Sequence, residues 1–351
     1  MTPPVRIAGL ATATPPHELP QSQVRQFAHG LFADDFPQLD RLLRVFDNAG
    51  IASRQLAREL AWFRQPHSFP EKNEVWRDAS LQLSCDAARR ALADADLAPA
   101  DIGALVFVSS TGIATPSLDG ALVQRLDLPR DVARTPVWGL GCAGGAAGLS
   151  RAAALGRGLQ TPVLLIAAEI CSATFVHEDR SKSNLVATAL FGDGAAAAVL
   201  VPEPGGLQIL ADHRRLIDDS EDVMGWDLRP AGLAVRFARS IPSIVTEVVV
   251  DFVAETTRKV GATRADVDWW ALHPGGAKVL DAYARALQLT DADLAPARDV
   301  LRDHGNMSSP TALFVLHRLR QAGLAPGSTG LLVGLGPGFC AESVLLRQEA
   351  P

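Results

Sequence analysis

The stretch Thr135-Pro136-Val137-Trp138-Gly139-Leu140-Gly141-Cys142-Ala143-Gly144-Gly145-Ala146-Ala147-Gly148 constrains the fold more than any other part of the chain. An apolar lead-in runs into glycines and then into a small-residue helical pattern that continues to Ala154, which predicts a strand turning into a helix with Cys142 at the turn. A helix N-terminus carries unpaired N–H groups and partial positive charge, so this placement favours a thiolate. The same letters, Gly139 to Gly144, also spell G-x-G-x-x-G, and a second apolar run from Pro162 to Ala168 ends at Glu169. A dinucleotide-binding turn has that pattern, and cysteine is also a common core residue. Nucleophile, nucleotide site and buried structural thiol are therefore all open from this stretch alone.

At 351 residues the chain suits two domains or one large α/β body. A net charge of -6 without a basic stripe gives no reason to expect nucleic-acid binding. Cys85, Cys142, Cys171 and Cys340 are scattered, which reads as reduced thiols, and neither they nor the eight histidines show metal-ligand spacing, so no metal is expected. No secretory h-region and no run long enough to span a membrane is visible, and the expected location is the cytoplasm.

Taken in order, Val5 to Ala11 reads as a strand, Gln21 to Asn48 as helical, Trp62 to Trp76 as a connection, and Asp78 onward as a long helix. Strands at Ala104 to Ser109 and Pro162 to Ala168 alternate with helices, which predicts a mixed or parallel sheet covered by helices. Pro202 to Gly206 ends an apolar run with two prolines and two glycines and divides the chain into halves 1–203 and 204–351. The second half repeats the plan: helix Ile241 to Val260, strand Val267 to Leu272, helix Ala277 to Leu289, helix Pro310 to Gln321 and strand Gly330 to Gly334. His273 follows a buried strand and is stiffened by Pro274-Gly275-Gly276, and Asn306 sits in a loop that enters a helix. Two α/β halves facing each other would bring Cys142, His273 and Asn306 to one centre, a set suited to nucleophilic catalysis.

Five words in order carry a resemblance over the whole length: Trp138 to Gly145, Ala189-Leu190-Phe191-Gly192-Asp193-Gly194, His273-Pro274-Gly275-Gly276, Gly305-Asn306-Met307-Ser308-Ser309 and Gly334-Leu335-Gly336-Pro337-Gly338-Phe339. The chain resembles the type III polyketide synthases, the chalcone-synthase-like branch of the thiolase superfamily. The resemblance implies a thiolase-like α/β fold, two pseudo-duplicated αβαβα halves forming a five-layered body, and a homodimer. It also implies a Cys142 thiolate paired with a His273 imidazolium, His273 and Asn306 as donors to the malonyl thioester oxygen, and Phe191 as the gate residue that promotes decarboxylation. Acyl-CoA and malonyl-CoA would be substrates, with no cofactor. Arg41 and Arg44 fall where the family binds CoA phosphates, although a third basic position is Asn48 here. Gly334, Gly336, Pro337 and Gly338 match the cyclisation loop, with Leu335 where plant members usually have Phe.

Two departures bear on the substrate. Val235 stands at the second gate phenylalanine, and Thr115 where plant enzymes place a methionine that reaches across the dimer. Local words such as Ser53-Arg54-Gln55 and His67-Ser68-Phe69 are most similar to bacterial alkylpyrone and alkylresorcinol synthases. A long fatty acyl starter is therefore expected, in a tunnel formed by Thr115, Cys171, Thr174, Val235 and Ser308. The alternatives are a single condensation of the ketoacyl-ACP synthase III kind, or a non-catalytic partner subunit of the same fold.

Overall fold

The computed structural model of the protein describes residues 4–349, so the outermost residues of the two expected halves, 1–3 and 350–351, lie outside the described residues. Strand β1 (Arg6–Ala13) leads to β2 (His17–Pro20), helices α1 (Gln21–Leu31) and α2 (Leu39–Asp47), and β3 (Ser53–Leu56), which pairs with β2. Next come α3 (Phe69–Asp94), β4 (Ala104–Val108), α4 (Leu118–Arg125), β5 (Ala133–Val137), α5 (Gly144–Leu159), β6 (Val163–Ile170), α6 (Lys182–Leu190) and β7 (Asp193–Val201). The rest comprises β8 (Leu207–Leu216), the paired strands β9 (Met224–Arg229) and β10 (Gly232–Phe237), α7 (Ile241–Arg258), β11 (Trp269–Leu272) and α8 (Ala277–Leu287), then α9 (Asp291–His304), α10 (Thr311–Ala322), β12 (Thr329–Gly336) and β13 (Cys340–Gln348).

Nine strands form one sheet in the order β11-β12-β13-β8-β1-β7-β6-β4-β5. Pairing is parallel between β4 and both β5 and β6, and between β11 and β12, and antiparallel at the other junctions. Strands β1 and β8 share two residue pairs, Arg6 with Gln208 and Ile7 with Leu207, and this narrow seam joins the two parts of the sheet. Helix α5 packs against β4 and β6 on one side of the seam and against β12 and β13 on the other. The period of two explains how both faces are filled: Val106, Val108, Leu165 and Ala167 join Ala146, Leu149 and Ala153 of α5, whereas Leu105, Phe107, Leu164 and Ile166 join Leu81, Ala88 and Ala91 of α3. Helix α7 covers β8 and β13. The layers thus run helix, sheet, helix, sheet, helix, a five-layered αβαβα body. The expected halves share one sheet across residue 203.

The small residues of α5 are what let it occupy the middle layer. A Cβ on Gly145 would lie 2.3 Å from the carbonyl oxygen of Ser309, so any side chain there would push the helix away from the 305–310 loop.

Some boundaries differ from those expected. The segment from Gln21 to Asn48 is two helices separated by residues 32–38, with Pro37 shortly before the second. Helix α3 starts at Phe69, nine residues before Asp78, because Ser68 and Glu71 form a reciprocal cap: Glu71 N–H donates to Ser68 Oγ (3.4 Å) and Ser68 N–H to the Glu71 carboxylate (2.8 Å). Helix α9 and strands β8, β9 and β10 are additional to the elements expected.

Candidate active site

Cys142 lies on a single helical turn, Gly141–Ala143, between β5 and α5. Gly141 has φ +45°, and the end of β12 packs directly against this turn. A Cβ on Gly336 would sit 2.2 Å from the carbonyl oxygen of Leu140, and one on Gly141 would sit 2.7 Å from Pro337 Cδ. Gly334 is also close, 3.0 Å from the Cys142 carbonyl oxygen by the same measure, and Gly338 at φ +137° carries the chain into β13. The expected cyclisation loop therefore forms the bed on which the cysteine turn rests.

Asn306 follows α9 and is tied to the end of α6 by backbone alone. Its N–H donates to the Leu190 carbonyl (2.8 Å), and its carbonyl accepts from Gly192 N–H (3.0 Å), so Phe191 and Asn306 lie side by side. The Asn306 Oδ1 accepts from Ser308 N–H (2.8 Å) and lies 3.8 Å from Cys142 Sγ, and Ser308 Oγ lies 3.7 Å from the same sulfur. Asn306 Nδ2 donates to the Gly275 carbonyl at 3.4 Å. His273 leaves β11 with its N–H on the Val333 carbonyl, and its ring faces the Gly275 position. It is 2% exposed, and neither ring nitrogen has a hydrogen-bond partner.

Burial acts against charge on both groups. It pushes the Cys142 thiol up to about 12, against the lowering effect of its contacts with Ser308 and Asn306, and it pushes His273 down to about 3. Burial thus works against the expected thiolate–imidazolium pair, and the contacts with Ser308 and Asn306 work for the thiolate. No hydrogen bond links the Cys142 sulfur to the His273 ring.

Glu169 belongs to the same centre. It is fully buried at the end of β6, and its carboxylate accepts from Ser110 N–H (2.9 Å), Thr111 Oγ1 (2.8 Å) and Ser309 Oγ (2.9 Å). Burial raises its carboxyl to about 7 against these hydrogen bonds. Ser110 Oγ in turn accepts from the N–H groups of Gly139 and Gly141 (3.2 Å each). The sequence signal for Glu169, an acid closing an apolar run, points instead to a nucleotide ribose. Here its oxygens are taken up by these donors, and the glycine turn is packed against Pro337.

A cavity open to solvent lies beside this centre. Cys171, Thr174, Phe191 and Val235 are in its wall, together with Val24, Phe27, Leu56, Leu60, Phe63 and Phe175. The Phe191 ring lies against Phe237 and Trp226, with centroids 5.6 and 6.1 Å away, two aromatic neighbours that no local pattern announces. Ser308 is at the sulfur and not in the cavity wall. Thr115 is exposed and outside that wall, because the segment after β4 runs out over the surface, where Ile113 and Trp138 are also exposed. Arg41 and Arg44 are exposed on α2, whose Leu39, Leu43 and Phe46 face the protein. Among the described residues no His/Cys/Asp/Glu group could hold a metal ion, and no helix is long and apolar enough to cross a membrane.

The five-layered body and the buried Cys/His/Asn cluster at its centre define a condensing enzyme of thiolase-like architecture. Residues 4–204 match the N-terminal domain of chalcone and stilbene synthases, and residues 208–349 match their C-terminal domain. The chain belongs to this family, the type III polyketide synthases. It is 39% identical to the 1,3,6,8-tetrahydroxynaphthalene synthase of Streptomyces peucetius subsp. caesius, over 97% of this chain and 92% of that one. It is 31% identical to the alpha-pyrone synthesis polyketide synthase-like Pks18 of Mycobacterium tuberculosis, over 98% and 92%. Its fold is similar to the crystal structure of 1,3,6,8-tetrahydroxynaphthalene synthase from Streptomyces coelicolor A3(2), with a TM-score of 0.94 and 27% identity over 99% of this chain and all of the other.

Proposed function

We propose that this polyketide synthase loads a long-chain fatty acyl group from CoA onto Cys142, extends it with malonyl-CoA, and closes the product to an alkylpyrone or alkylresorcinol. The observation that carries the substrate is the apolar cavity bounded by Phe191 and Val235 and walled by Phe27, Leu60, Phe63 and Phe175. Burying methylenes there is worth about 0.8 kcal/mol each, a gain that acetyl or malonyl starters cannot collect. The likeness to an alpha-pyrone polyketide synthase supports the same reading.

The first step needs no preformed ion pair. Cys142 Sγ–H gives its proton to the free nitrogen of neutral His273 as sulfur attacks the thioester carbonyl, and the CoA sulfur leaves with that proton. When malonyl-CoA follows, its thioester oxygen meets a His273 ring N–H and the Asn306 amide N–H. These donors stabilise the enolate left as carbon dioxide departs, and the apolar Phe191 ring disfavours the carboxylate it replaces. The enolate carbon attacks the Cys142-bound acyl carbon, and Cys142 is released to accept the longer chain again. Arg41 and Arg44 hold the CoA phosphates, no cofactor takes part, and the enzyme works in the cytoplasm as a homodimer through the face that carries Ile113, Thr115 and Trp138.

A second reading is favoured by the likeness to tetrahydroxynaphthalene synthase, namely condensation of malonyl units alone. Purified protein given malonyl-CoA with acyl-CoAs from acetyl to stearoyl, beside a Cys142→Ala control, separates the two by mass spectrometry. Alkylated products from long chains, absent in the control, are expected. Products from malonyl-CoA alone, a single condensation that requires a carrier protein, or no turnover at all would each replace the proposal.

A further inference from the structure

Arg54 is the largest fully buried side chain and takes no part in the chemistry just described. It extends from β3 to the C-terminal end of α6, where the last carbonyls lack helical partners and carry the negative end of the helix dipole. Its Nη1 donates to the carbonyls of Thr188 (2.9 Å) and Phe191 (2.8 Å), and its Nη2 donates to the Ala189 carbonyl (2.8 Å) and to Gln21 Oε1. Gln21 also donates to the Ala189 carbonyl, at 3.0 Å. Asp193, the nearby acid, is engaged by Ala57 and Ser172 instead. A buried guanidinium bonded to four acceptors, none of them a carboxylate, is costly to keep, so its placement points to the segment it holds. That segment is the one Asn306 bridges: Arg54 grips residue 191 by its carbonyl, and Asn306 binds the residues on either side of it.

We propose that Arg54 is a positioning residue that fixes the Phe191 ring and the Asn306 amide in one register for malonyl decarboxylation. This rests on the proposed roles of Phe191 and Asn306. The fork matters here, because its two nitrogens reach the three carbonyls from separate positions, a spread that a single ammonium nitrogen does not match.

The test separates two half-reactions: acylation of Cys142 by a starter, followed by mass spectrometry of the intact protein, and release of labelled carbon dioxide from malonyl-CoA without starter. In Arg54→Gln, decarboxylation kcat should fall on the order of tenfold while its KM and the acylation rate stay within about twofold. Arg54→Lys should recover part of the loss. Equal loss of both half-reactions, or no loss of either, overturns the proposal. If Arg54→Gln gives no folded protein by circular dichroism, Gln21→Met, which removes the acceptor that steers Nη2, should show the same split at about threefold, and its absence is equally decisive. Phe191→Ala and Asn306→Ala are the references. If they leave decarboxylation intact, the reading beneath fails and takes this inference with it. If they lower it and the Arg54 and Gln21 variants do not, the inference alone fails.

Discussion

Replacing Glu169 with Gln should make the protein more stable at high pH and change little at low pH. The Glu169 carboxyl is fully buried and raised from the ordinary 4.5 to about 7. A carboxyl with a raised pKa in the folded state holds its proton more tightly there than in the unfolded chain. Its contribution to stability is therefore complete below about 4.5 and is lost as pH rises through about 7. At 1.36 kcal/mol per decade, that loss is about 1 kcal/mol by pH 5 and about 3 kcal/mol by pH 8.5. Glutamine keeps an oxygen for Ser110 N–H and Thr111 Oγ1 but does not titrate, and any cost from re-orienting Ser309 is the same at both pH values. The stability of Glu169→Gln relative to the parent should thus rise by about 2 to 3 kcal/mol between the two conditions. Urea unfolding of both proteins at about pH 5 and about pH 8.5, at fixed ionic strength, measures it. A difference that moves by less than about 0.5 kcal/mol, or in the opposite direction, would refute burial as the main influence on this carboxyl.

Other consequences can be checked on the same protein. With the thiol pushed up to about 12, alkylation of Cys142 by iodoacetamide should climb steadily from about pH 6 to pH 9; a flat rate across that range would restore the ion pair. Removing the Asn306 amide in Asn306→Ala should slow malonyl decarboxylation by about 10²- to 10³-fold, the usual cost of losing an oxyanion donor, and a loss under about threefold would assign the work elsewhere. Val235→Phe should displace about two methylenes' worth of contact, about 1.6 kcal/mol or 15-fold in kcat/KM for the longest starters. An unchanged chain-length profile would remove Val235 from the acyl path. Gly336→Ala should abolish turnover, since its Cβ would strike the Leu140 carbonyl, and wild-type kcat in that variant would show that the turn yields freely.

The residues that were legible in the sequence are those at element ends. Cys142, His273 and Asn306 each stand beside glycines that break a strand or open a helix, and such breaks are local signals. Glu169 lies within apolar text and Arg54 between Ser53 and Gln55, and both find most of their partners more than fifty residues away, in groups that no spacing rule connects to them. The burial of Cys142 was out of reach for a related reason. The helix start that favours thiolate is visible in the letters, whereas the desolvation that opposes it arises only when β12, α5 and the 305–310 loop close around the sulfur. Helix α9 did have a readable sign, the reciprocal cap between Thr290 and Asp293, with Pro296 inside the helix obscuring it. Strand β8 alternates poorly because only its first residues are buried.

The contact between Gly336 and Leu140, and between Gly141 and the Pro337 ring, leaves the two segments in close contact with no long, adjustable side chain interposed. A side chain added at either glycine would displace the turn that carries Cys142. Change that preserves catalysis is thereby confined to side chains around the adjoining space, such as Cys171, Val235 and Phe63. The reaction centre acts as a fixed anvil, and new products must come from recasting the mould beside it.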